Sequence, residues 1–378
     1  MKNLHLYLSL LFVLTCAKED PLSTNIPPSQ FTLTVSAGDG GAVSTAGGTF
    51  SQGTQVNITA IPDEGFEFTQ WSNGSTINPL NIAVTSDIEI IAEFSIKSYF
   101  ISILFRDGGV NSLESGYFDH NSEFVLNANP NEGHYFYEWR IKLSDTEIFK
   151  SNENPLILNI DSEIEIYPVY ISKTDLINNF IDLVFKDEED YTKRLKETNV
   201  FLDGDFSEEF EVELNSYIDR LNNILINNND FEIKRVNELS ESNVHISFDD
   251  VDGFRNSRGL SDSWPDFDLS IYSGYAFYGW QNDGVLVGGN IFINSTKVIE
   301  SKYKWIIEHE FGHMLGLYHT SNQSSVMHTP EICNEDGCNE GMSPIDKEVL
   351  RLLYDDRIPI RSSLNEVNQL LIDILNDI

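Results

Sequence analysis

Cysteine is scarce, with three in 378 residues. That excludes a disulfide-dense scaffold and any zinc site built from four thiolates, and leaves room for one bridge and one spare thiol. Basic residues are scarce too: 24 Lys and Arg stand against 60 Asp and Glu, for a net charge of -36. A chain of that sign does not grip a phosphate backbone, so nucleic acid is excluded as a partner. Beyond the N-terminal segment no run approaches the length of uninterrupted apolar residues that a spanning helix needs. What is present is a composition 40% apolar and 12% aromatic, enough for two or three folded domains at about 150 residues each.

The chain opens MKNLHLYLSLLFVLTC, with one early Lys and an apolar run from Leu4 to Leu14 that is too short for a membrane span. This reads as an export signal. Val13-Leu14-Thr15-Cys16 resembles a relaxed bacterial lipobox. The resemblance implies lipidation of Cys16, a membrane anchor through that lipid, and an outer-membrane or cell-surface address. The other reading is an ordinary cleaved signal with Cys16 incidental and the product secreted. Both give a signal over 1–15, a polar tether over 16–28 and a remainder outside the cytoplasm.

Comparing the chain with itself exposes a duplication. Asp39-Gly40-Gly41 is matched by Asp107-Gly108-Gly109, and Pro62, Glu64, Gly65 and Trp71 by Pro130, Glu132, Gly133 and Trp139, all at an offset of 68 residues. Asn78-Pro79-Leu80 returns as Asn154-Pro155-Leu156 at an offset of 76, so the second copy carries eight extra residues after its Trp. A shared offset with one insertion is what a duplicated module leaves behind. Short alternating segments between Gly, Asn and Pro predict two small all-β modules, over 29–96 and 97–172. Trp71 and Trp139 are expected at the centres of the two cores rather than as sugar platforms. The pattern resembles divergent bacterial surface repeats related to the internalin B-repeat, which implies cell-surface or glycan contacts rather than catalysis.

Residues 309 to 319 read His309-Glu310-Phe311-Gly312-His313-Met314-Leu315-Gly316-Leu317-Tyr318-His319. On a helix, positions i and i+4 share a face, so His309 and His313 can offer imidazole nitrogens to one zinc ion. Glu310 beside them is the general base. Gly316 falls where a helix must end in a residue free to take positive φ, and the turn delivers His319 as third ligand. Three protein ligands leave a fourth position open, the mark of a catalytic zinc.

Ser325-Val326-Met327-His328-Thr329-Pro330 resembles the Met-turn of the metzincin proteases, and with Ser343-Pro344-Ile345-Asp346 it is similar to the matrixin branch. The resemblance covers about 174 to 356. It implies a multidomain chain in which two all-β modules precede an α/β, zincin-like catalytic domain over 173–378. It further implies a protein or peptide substrate, and pairing of that substrate with an edge strand around Tyr275, Ala276 and Phe277. Cys333 and Cys338 are expected to pair in an exported protein. Thr329 stands where one metzincin branch has a Tyr. No His lies between His245 and His309, so one zinc is expected and no second, structural one. Asp249, Asp250, Asp252 and Gly253 suggest calcium, although a solvated acidic loop explains them equally. Two functions follow: a secreted or surface-anchored zinc endopeptidase, or a surface adhesin with a vestigial protease domain.

Overall fold

The computed structural model describes residues 29–144, 147–187, 190–225, 231–258, 268–328 and 341–377. Cys16, Thr329, Cys333 and Cys338 lie outside them. Among the described residues no helix is long and apolar enough to cross a membrane.

In the first repeat, strands Gly47–Ser51, Gln30–Ala37, Ile88–Ile96 and Phe66–Trp71 lie side by side in that order. A second ladder joins Thr54–Ile58 to Leu80–Val84. Leu33, Val35, Ile58, Val84 and Ile90 close around Trp71, which is fully buried. The second repeat copies the plan with Ser98–Ile103, Ile164–Ser172 and His134–Lys142, and Trp139 is again fully buried. The shared Asn-Pro-Leu has a structural cause. Asn78 closes a pair of hydrogen bonds with the backbone of Ala60, at 2.9 and 2.8 Å, and Asn154 does the same with Ala128, at 2.9 and 2.9 Å. In each module one amide side chain thus satisfies two backbone groups that would otherwise go unpaired.

The eight-residue insertion makes the second repeat different. Part of it becomes an extra edge strand, Ile148–Ser151, paired with His134–Lys142. The first repeat's Trp71 donates its indole N–H to Ile77 O at 3.0 Å, whereas the buried indole N–H of Trp139 has no partner among the described residues. The first repeat forms one compact unit with three short stretches of the second, and the rest of the second repeat belongs to the same compact unit as the α/β domain. Tyr135 and Ile171 contribute to the core of that domain. Tyr135 Oη donates to Glu348 at 3.0 Å in a buried bond.

The last strand of the second repeat runs straight into helix α1 (Lys173–Val184), capped by Ser172, whose Oγ accepts from Asp175 N. The α/β domain is built on a parallel sheet in which Ile233–Arg235, Thr198–Gly204, Val244–Asp249 and Val285–Asn294 are neighbours in that order. The short strand Arg194–Leu195 also pairs with the start of Val285–Asn294. Val244, Ile246 and Phe248 are buried on one side of their strand and His245 and Ser247 on the other, as in a sheet covered on both faces. Gly274–Trp280 alone runs antiparallel, at the edge, with Ala276 opposite Ile291. Helices α2 (Glu208–Leu225), α4 (Tyr303–Met314), α5 (Pro344–Leu353) and α6 (Leu364–Asn376) share the main core with the sheet, and α3 (Val251–Arg258) packs in a small aromatic cluster with the edge strand. The acidic run before α3 serves local backbone: Asp249 accepts from Asp250 N and Asp250 from Gly253 N, at 2.8 and 2.7 Å.

Candidate metal centre and cleft

Helix α4 carries His309, Glu310 and His313 on the side facing the edge strand. It ends at Met314, and Gly316 follows with φ +101°, a conformation that turns the chain back. A Cβ at Gly316 would also run into the carbonyl oxygen of Lys193. The turn brings His319 to the two helical histidines. Its Nε2 lies 3.1 Å from Nε2 of His309 and 3.1 Å from Nε2 of His313.

The other ring nitrogens fix the chemistry of this cluster. His309 Nδ1 is 2.7 Å from Val326 O, and His313 Nδ1 is 2.9 Å from Leu317 O. A carbonyl only accepts, so each Nδ1 carries the proton and each Nε2 presents a lone pair. Burial holds both rings neutral, lowering His309 to about 4 and His313 to about 3, and His319 is lowered for the same reason. The lone pairs of His309 and His313 both face His319 Nε2 from 3.1 Å, an arrangement that a shared cation satisfies. Two ligands of a tetrahedral zinc with Zn–N bonds of about 2.0–2.1 Å stand about 3.3 Å apart, so the spacing fits that ion. Among the described residues, this is the one group of three or more side chains suited to hold a metal.

Glu310 is 5% exposed and accepts a hydrogen bond from the backbone N–H of Ala276 on the edge strand. Burial raises its carboxyl to about 8, against the lowering effect of that bond. A cleft of about 530 Å³ opens over the cluster, lined by Glu310, the three histidines, Tyr275, Ala276, Tyr278 and Tyr318 among others. The structure therefore places Tyr275 and Ala276 at the cleft, whereas Phe277 packs toward Phe254 and Phe292.

Met327 is fully buried and lies against the helix at Gly312. A Cβ on Gly312 would collide with Met327 Sδ, so a glycine inside the histidine helix admits the methionine. Asp346 is a second residue with a role beyond its motif. Fully buried, it accepts from Ser325 Oγ at 2.6 Å, Val326 N at 3.0 Å and Ser343 N at 2.9 Å. It caps α5 and at the same time holds the turn whose Val326 carbonyl orients His309. The Ser-x-x-Asp capping box was a readable signal for the helix start alone. Glu308, 3% exposed, ties α4 to Arg220 of α2 at 2.9 Å and to Met342 N.

Residues 182–355 match the family described as Matrixin, and residues 31–98 and 103–164 match the divergent InlB B-repeat domain. Two solved structures of myroilysin are 12% and 13% identical, covering 46% and 45% of this chain and 98% and 94% of theirs, each with a TM-score of 0.28. Metalloproteinase-II from Bacteroides fragilis is 14% identical over 71% of this chain and 88% of its own, with a TM-score of 0.27. No curated protein sequence matches.

Proposed function

The chain carries a matrixin-like metzincin domain behind two divergent InlB B-repeats, and on that premise we propose that it is an exported zinc endopeptidase. The observation that carries the proposal is the convergence of three imidazole rings, with Nε2 of His319 3.1 Å from Nε2 of His309 and of His313, beside the buried carboxyl of Glu310 in an open cleft. His309, His313 and His319 hold one zinc, which supplies Lewis acidity toward the substrate carbonyl and toward water. Glu310 takes the proton of the attacking water on its carboxylate and passes it to the leaving amine. Its bond to Ala276 N keeps the carboxylate turned to the edge strand. Among the described residues Gly274–Trp280 pairs with one strand of the sheet, and an extended peptide aligns with its main chain.

Replacing Glu310 by Gln should leave zinc bound and lower peptide hydrolysis by about 10²–10⁴-fold. Retained hydrolysis would remove Glu310 from the role of base. Cys16 is proposed to carry a lipid that anchors the protein, with the repeats making surface contacts; lipid labelling that survives Cys16→Ser would contradict the anchor.

A further inference from the structure

His309 and His313 are each oriented by a ring nitrogen bonded to a backbone carbonyl. His319 is the most exposed of the three and has no such ring partner among the described residues. Ligating histidines are ordinarily fixed through their second nitrogen. The position of His319 must then come from the chain on either side of it, which is hydrogen-bonded to α1 on both sides. On one side Tyr318 N donates to Leu183 O at 2.6 Å. On the other, Thr320 Oγ1 donates to Asp182 at the same end of α1.

The centre of this clamp is Lys193, 125 residues away in sequence from Tyr318. Lys193 is 4% exposed, and its ammonium pairs with Asp190 and donates to Tyr318 Oη at 3.0 Å. Three rings surround it, with Nζ 4.7 Å from the centroid of Tyr191, 5.3 Å from Trp280 and 5.4 Å from Tyr318. Cation–π attraction of this kind strengthens as the cation is desolvated. The carbonyl of the same residue faces Gly316, so Lys193 meets the ligand-bearing turn at both of its ends.

We propose that Lys193 is a positioning residue for the third zinc ligand, setting His319 through the Tyr318 hydroxyl and the Gly316 turn. This rests on the zinc reading above, which the wild-type chain tests separately by its metal stoichiometry. Outer partners of metal ligands commonly control affinity by about 10–100-fold. In the full chain, Tyr318→Phe keeps the ring and loses the hydroxyl, and Lys193→Met removes the charge. Zinc affinity should fall by about 10-fold in the first and by up to about 100-fold in the second, read by competition against a chromophoric chelator. The visible spectrum of the cobalt-substituted variants should shift from that of the wild type, because the field of one ligand changes. If Lys193→Met does not fold, Tyr318→Phe decides alone. A lowered melting temperature of the metal-free variants with unchanged zinc affinity and unchanged cobalt spectrum would overturn the proposal and leave Lys193 a structural lysine.

Discussion

Among the described residues with buried polar or charged side chains, Glu138 alone lies in the repeats, while Lys193, Glu308, His309, Glu310, Asp346 and Glu348 are all in the α/β domain. The repeats bury Trp, Leu, Ile and Val and satisfy backbone groups with two equivalent asparagines. The α/β domain buries charge, and most of that charge acts on the metal centre or on the helices around it. Burying an ion costs several kcal/mol unless partners compensate. Here partners are supplied from distant parts of the chain: Arg220 for Glu308, Tyr135 for Glu348, the Met-turn for Asp346. The two regions thus separate a stability that rests chiefly on buried apolar area from a geometry that buries charge.

The comparison breaks if damage to one region spreads into the other. Trp71→Ala has the largest expected effect, about 3–5 kcal/mol off the first repeat, with peptide hydrolysis unchanged. Calorimetry paired with an activity assay checks this, and a parallel loss of activity would join the first repeat to the catalytic centre. Asp346→Ala is expected to cost about 3 kcal/mol, since several buried donors lose their acceptor, and to lower zinc affinity because Val326 no longer orients His309. The sharpest probe of the divide is Tyr135→Phe, at about 1 kcal/mol. It removes a hydroxyl of the second repeat that bonds Glu348 of α5, and it should destabilise the α/β domain in chemical denaturation despite lying outside it in sequence. A transition confined to the second repeat would show that the two fold as separate units.

Much of this was legible in the sequence, and the boundary has a physical reason. The histidine motif is local, so helical periodicity and one glycine suffice to bring three ligands together. The repeats declare themselves because each copy confirms the other, down to Trp71 and Trp139. Asp346 was legible only as part of the Ser343-Pro344-Ile345-Asp346 segment that resembles the matrixin branch, since nothing in that segment says that the same carboxylate reaches back to Ser325. Lys193 and Tyr135 were not legible at all. Their partners are 125 and 213 residues away, and a single sequence carries no signal for such contacts. The insertion in the second repeat was visible, but its folding into an edge strand depends on the free edge of His134–Lys142, a tertiary fact.

The central claim is that His309, His313 and His319 hold one zinc that makes the chain a peptidase. The most direct test is hydrolysis of a mixed peptide library by the chain from residue 17 onward, with metal content measured on the same sample before and after a zinc chelator. One zinc per chain, cleavage abolished by the chelator and cleavage restored by added zinc are the predicted result. Cleavage indifferent to the chelator, or a chain that binds no zinc, would contradict it.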